Sequence, residues 1–121
     1  MESHEKNAIY RLYAEFCKTL SDANRLLIIG ELSKGETSVN ELVARLDLRQ
    51  SNVSKHLAMM RERGLVITRR EGATIYYSLS DKRISDAIYL LMEVQRGLIK
   101  KRNALSHTLP EFSVPKRSRI N

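Results

Sequence analysis

Glu41-Leu-Val-Ala-Arg-Leu-Asp-Leu-Arg-Gln-Ser-Asn-Val-Ser-Lys-His-Leu-Ala-Met-Met-Arg-Glu-Arg-Gly-Leu-Val66 is the stretch whose reading decides the fold. Just ahead of it, Ser38 with Glu41 three residues on forms a capping box, in which each side chain satisfies the other's free backbone N–H. A helix therefore starts there, with Val39, Leu42, Val43 and Leu46 on one face and a length of about two turns. After Asp47-Leu48-Arg49 a second helix runs to about Arg63, with Val53, Leu57 and Met60 inward and Gly64 as its stop. Two β-branched and aromatic runs follow, 65–70 and 74–79. Glu71-Gly72-Ala73 joins them, which reads as a hairpin.

Working outward, residues 5–20 place Ile9, Leu12, Tyr13, Phe16 and Leu20 on one helical stripe. Ser21 or Asp22 can cap a next helix carrying Leu26, Leu27, Ile29 and Leu32, with Lys34-Gly35 as its end. From Ser80-Asp81 a long helix reaches about Ala104, with Ile84, Ile88, Leu91, Val94 and Leu98 as its stripe. The expected class is mainly α with a small β-hairpin between the fourth and fifth helices. That is the order of a winged helix-turn-helix, in which the second short helix enters the DNA major groove and the hairpin reaches the flanking backbone. Residues 1–104 are expected to form one domain, and 105–121, with both prolines and the basic Lys116-Arg-Ser-Arg, a basic tail.

With 121 residues, 42% hydrophobic and 29% charged, the chain fits a single globular domain. It has no apolar run of the roughly 20 residues a bilayer span needs, and its first residues are polar, so a cytoplasmic location without a membrane partner is expected. The single Cys17 cannot form an internal disulfide. Five glycines scattered singly supply no phosphate loop, and no nucleophile with its base or carboxylate pair stands out, so neither an enzyme nor a bound cofactor is expected.

The net charge of +7 is unevenly spread. Residues 1–44 carry five basic against seven acidic groups, 45–70 seven against two, 71–95 two against four, and 96–121 seven against one. Localised positive charge is the footprint of a polyanion binder, or of a merely solvated basic face. On the wheel of the second short helix, with Val53 inward, Ser51, Lys55 and Ala58 point out and Asn52 and Ser54 lie on the flanks. Short hydrogen-bonding side chains suit base edges, and Lys55 can reach a base or a phosphate. Three kinds of function fit: a sequence-specific DNA reader, an architectural or RNA-binding protein using the same wing and tail, and an interaction module working through the last helix and tail.

Residues 41–66, the phrase Arg69-Arg-Glu-Gly-Ala-Thr-Ile-Tyr-Tyr-Ser-Leu79 and the upstream Lys18-Thr-Leu-Ser-Asp-Ala-Asn-Arg-Leu-Leu-Ile-Ile29 together resemble the ArsR/SmtB family of bacterial and archaeal repressors. The likeness covers roughly residues 8–100. It implies a homodimeric, sequence-specific transcriptional regulator, a repressor binding double-stranded DNA at a pseudo-palindromic operator. The implied DNA contacts are Ser38, Arg49, Gln50, Ser51, Asn52, Ser54, Lys55, His56, Arg69, Arg70 and Thr74. First and last helices pair the subunits in the family, which puts Ile9, Leu12, Phe16, Ile84, Ile88, Leu91 and Leu98 at the dimer interface. Metal-sensing members carry Cys-x-Cys in the third helix, but the matching positions here are Ser38 and Asn40, poor replacements for soft thiolates. Their other site falls on Asp81, Arg83, Val94 and Gly97, of which only the aspartate is a ligand. No metal is therefore expected. Arg49 stands where a capping Ser or Thr is usual and is expected to reach a phosphate instead. Cys17 could be a redox switch or a small buried hydrophobe. His4 and His107, near the outer ends of the presumed dimer helices, could contribute to a site assembled between subunits, and His56 is expected to contact DNA or cap the core.

Overall fold

The computed structural model describes residues 2–106. Their order is α1 (Glu2–Leu20), α2 (Ala23–Leu32), β1 (Thr37–Ser38), α3 (Val39–Leu46), α4 (Gln50–Glu62), β2 (Val66–Glu71), β3 (Thr74–Leu79) and α5 (Arg83–Ser106). The chain divides into two units, one up to Ser80 and one from Asp81 onward.

In the first unit the core is built from Ile28, Ile29 and Leu32 of α2, Leu42 of α3, Val53, Leu57 and Met60 of α4, and Leu65 and Val66 beyond it. Leu57 and Met60 have no exposed surface at all. Asp22, not Ser21, caps α2, its carboxylate accepting from the backbone N–H of Asn24 and Arg25 at 2.9 and 3.1 Å. Those N–H bonds, that of Arg25 first, hold the Asp22 carboxyl below its ordinary range. The apolar face of α2 differs from the expected one, because Leu27 is 48% exposed while Ile28 is fully buried. Four consecutive apolar residues, Leu26 to Ile29, leave the helix's rotation open in the sequence, and packing selects 28, 29 and 32.

The capping box of α3 is present, with Ser38 Oγ accepting from the Glu41 N–H at 3.3 Å and Glu41 Oε1 accepting from the Ser38 N–H at 3.2 Å. Asp47 takes a left-handed conformation, φ 52°, at the end of α3. The chain then enters α4 through Arg49, whose side chain makes no cap bond. Gly64, at φ 79°, closes α4 in a conformation a side chain would strain, with the Leu65 N–H reaching back to the Met60 carbonyl at 2.8 Å.

The hairpin is present, but its first strand runs Val66–Glu71 in place of the expected 65–70, so Glu71 pairs with Thr74 and the turn is the two residues Gly72-Ala73 instead of Glu71-Gly72-Ala73. Gly72, at φ 62°, supplies the positive φ that the first position of a type II′ turn demands. The sheet has a third strand that the sequence reading lacks. Thr37 and Ser38 pair antiparallel with Tyr77 and Tyr76, giving the order β1-β3-β2. Two residues are too short to show a period of two, and Ser38 serves as strand end and helix cap together.

In the second unit α5 runs through Ser106, so the first two residues of the expected tail continue the helix, while 107–121 lie outside the described residues. Its first turn buries Ser85, whose hydroxyl donates to the Lys82 carbonyl at 3.0 Å. Ahead of it, Asp81 accepts from the Arg83 guanidinium and is held down at about 2. No described helix is long and apolar enough to cross a membrane.

Truncating Leu57 to Ala should cost about 2–5 kcal/mol, since its site is closed on all sides. Ser38→Ala should cost about 1 kcal/mol by removing one member of the capping box. Chemical denaturation measures both, and a Leu57→Ala change under about 1 kcal/mol would contradict this account of the core.

Candidate nucleic-acid interface

The inward stripe of α4 fixes which side chains it offers. With Val53, Leu57 and Met60 buried, Gln50, Ser51, Asn52, Ser54, Lys55 and Ala58 are exposed together with Arg49. Arg49 leaves the first N–H groups of α4 without a side-chain acceptor, and such groups favour an anion by geometry and by the helix dipole. A groove of about 250 Å³ lies between the starts of α3 and α4 and the wing turn. Asn40, Gln50, Ala73, Thr74 and Tyr77 line it, so the fold brings the expected Gln50 and Thr74 to one place.

Three of the expected contacts are placed otherwise. Ser38 also borders the groove, but it is only 8% exposed and its hydroxyl is engaged with Glu41, so it shapes α3 and has little left to offer a ligand. His56 turns away from the outer face of α4. Its ring lies 3.3 Å from the Arg25 guanidinium and 3.8 Å from the Asp22 carboxylate, because residue 56 shares the helix flank with Val53 and Met60 and not with Ser51. Arg69 is held down on the sheet. Its Nε donates to Glu36 Oε2 at 3.0 Å, a second bond joins Nη2 to Glu36 Oε1, and the guanidinium lies 5.0 Å above the Tyr76 ring. Glu71 adds a further contact at 3.5 Å.

The Arg69 guanidinium, as hydrogen-bond donor, holds the Glu36 carboxyl below its ordinary range. The pair is intact above that range and is lost as acid protonates Glu36 beneath it. Its neighbour Arg70 is exposed and makes no hydrogen bond or ion pair among the described residues. Of the two expected wing cations, Arg70 is thus the one available to phosphate. The role of Glu36 had no signal in the sequence, since its contact with Arg69 spans 33 residues.

The expected dimer residues also divide. Ile9, Leu12 and Phe16 on α1 and Leu91 and Leu98 on α5 are exposed, and Tyr10, Tyr13, Leu90 and Val94 join them. Ile84 is half-buried, and Ile88 is 8% exposed, so the surface Ile88 offers is small. Cys17 is half-buried beside Tyr13, whose hydroxyl is pushed up by its hydrogen bond with that thiol. His4 is exposed on α1, and His107 lies outside the described residues. Among the described residues no three His, Cys, Asp or Glu side chains come together as a metal site.

A short helix packed across a second one, with the second helix's polar face outward and a sheet-borne wing beside it, defines a winged helix-turn-helix. Residues 22–68 match the family described as "Bacterial regulatory protein, arsR family". The chain is 41% identical over 91 residues to the transcriptional activator HlyU of Vibrio cholerae, covering 75% of this chain and 80% of that one. It is 43% identical over 77 residues to a biofilm growth-associated repressor of Agrobacterium fabrum, covering 61% of this chain and 66% of that one. The solution structure of a homodimeric winged helix-turn-helix DNA-binding domain from Mycobacterium bovis, a possible ArsR-family transcriptional regulator, superposes with a TM-score of 0.65 at 25% identity, covering 88% of this chain and 94% of that one. The chain belongs to the ArsR family of transcriptional regulators.

Arg70→Ala should weaken binding to all duplexes alike and lower the slope of log affinity against log salt by about one. Arg69→Ala should lower it by less than half as much, because Glu36 and Glu71 already neutralise that cation. Equal losses from the two variants would show that phosphate displaces Glu36.

Proposed function

We propose that this chain is a homodimeric repressor that reads a pseudo-palindromic operator in double-stranded DNA and acts in the cytoplasm without the metal sites of the family's metal sensors. The observation that carries the reading is the outer face of α4, where Gln50, Ser51, Asn52, Ser54 and Lys55 are all exposed on a helix whose rotation the core fixes. Side chains of that length and kind match the donor and acceptor pattern of the major groove, and Lys55 adds a charge. Arg49, Arg70 and Thr74 would flank them on the phosphate backbone, which sets register and carries no sequence information.

Dimerisation is supported by the exposed apolar residues on each of α1 and α5, since clustered apolar side chains on a surface mark an interaction site. A two-fold dimer presents two copies of α4, and its half-sites should then lie about one helical turn apart. The thiolate positions of the third-helix metal box hold Ser38, committed to capping, and Asn40.

Selection of bound fragments from random duplex DNA by the purified, reduced, metal-free protein should return an inverted repeat. A featureless pool would contradict the reading in favour of an architectural or RNA-binding role. Leu12→Glu combined with Leu98→Glu should convert the dimer to a monomer in sedimentation and abolish the preference for paired over single half-sites. An unchanged dimer would place the interface elsewhere.

A further inference from the structure

The inward stripe of α2 runs Arg25, Ile28, Ile29, Leu32, so a cation takes the first position of a face that is otherwise core. Its guanidinium is held from two sides. Nε donates to the Thr19 carbonyl and Nη2 to the Lys18 carbonyl at 3.5 Å, both at the end of α1, while Nη1 lies 3.3 Å from Nδ1 of His56 in α4. A guanidinium has donors only, so this last contact is a hydrogen bond only when Nδ1 carries no proton. The His56 side chain is 13% exposed, and its Nε2 lies 3.8 Å from Asp22 Oδ1, the oxygen that caps α2. Seven residues further along the chain, just past the end of α4, Arg63 donates to Thr19 Oγ1 at 3.2 Å. The end of α1 therefore grips α4 and its exit at two points about two turns apart, once through Arg25 and once directly.

We propose that Arg25 is a positioning residue for α4, acting through unprotonated His56 as its acceptor, so that base discrimination weakens when the imidazole takes up a proton. The proposal rests on α4 being the element that reads DNA. Protonation replaces a lone pair with an N–H facing a guanidinium, and the bond is lost. Among the described residues the charged groups facing the ring are Arg25, which opposes the imidazolium, and Asp22, which favours it. The acceptor disappears whichever of the two prevails. Asn52 and Lys55 lie within one turn of His56, so a change in the tilt of α4 moves their tips relative to base edges. Long wing side chains on phosphates tolerate such a shift. Discrimination between sites should thus fall more than overall affinity.

The full chain is titrated with its selected operator and with the same operator carrying one base change, at about pH 8 and about pH 6, with thermal unfolding recorded at each. The wild-type ratio of the two affinities should fall about three- to tenfold at the lower pH, the worth of one hydrogen bond. His56→Asn, which keeps an oxygen acceptor close to the Nδ1 position and cannot titrate, should give a ratio that does not change with pH. Arg25→Met should give a lowered ratio at both. A wild-type ratio that is flat with pH, or a His56→Asn ratio that still falls, would overturn the proposal. Should Arg25→Met fail to fold, the His56→Asn comparison decides alone. If wild type discriminates between the sites at neither pH, the DNA-reading role of α4 falls, and the positioning role of Arg25 with it.

Discussion

Val53, Leu57 and Met60, spaced i, i+4 and i+7 and fully excluded from solvent, allow α4 one rotational setting. A turn of the helix by a single residue, about 100°, would bring Ser54 or Asn52 into a core that offers them no partner. The polar face of α4 is therefore a consequence of its apolar one. The neighbouring elements reinforce this setting, since Leu42 of α3 and Ile28, Ile29 and Leu32 of α2 fill the same core. What α4 offers to a ligand is decided before any ligand arrives, and that preorganisation lowers the ordering cost of binding.

Charge on the wing follows a different logic. Arg69 and Arg70 are adjacent, yet alternation along β2 sends their side chains to opposite faces of the sheet. On one face Arg69 finds Tyr76 directly across the ladder and Glu36 near the start of β1, and is neutralised in place. Exposed pairs of this kind add little to stability, but a bidentate guanidinium–carboxylate contact does fix where the side chain lies. Arg70 is left as the exposed cation near the tip, with no ion pair among the described residues. Two residues that look equivalent in composition thus differ in whether their charge is available.

Much of this was legible in the sequence, and the exceptions have physical reasons. The Ser38–Glu41 box, the α4 stripe and the hairpin are local patterns, and each is found, the hairpin with a turn one residue shorter than read. The strand Thr37–Ser38, the burial of Ile28 in place of Leu27 and the pairing of Arg69 with Glu36 all depend on partners far along the chain. Within the candidate site the local capping box already commits the Ser38 hydroxyl, whereas the choice for His56 between DNA and the core depends on a contact with Arg25, 31 residues away.

Helix α1 has 19 residues and buries only Thr19, while Ile9, Tyr10, Leu12, Tyr13 and Phe16 remain exposed. Most helical stability in proteins comes from packing an apolar face, and α1 leaves that face uncovered. The single buried residue is nevertheless the one that touches α4's exit, through Arg63, and whose carbonyl holds Arg25. Any surface that covers the apolar stripe of α1, such as the second subunit of the proposed dimer, stabilises the turn that carries those two contacts. Dimerisation and the setting of α4 would then share one element. The link would run through the Thr19 hydroxyl and the Thr19 and Lys18 carbonyls at the end of α1, so a change in the stability of that last turn is the route by which an event on α1 reaches the interface.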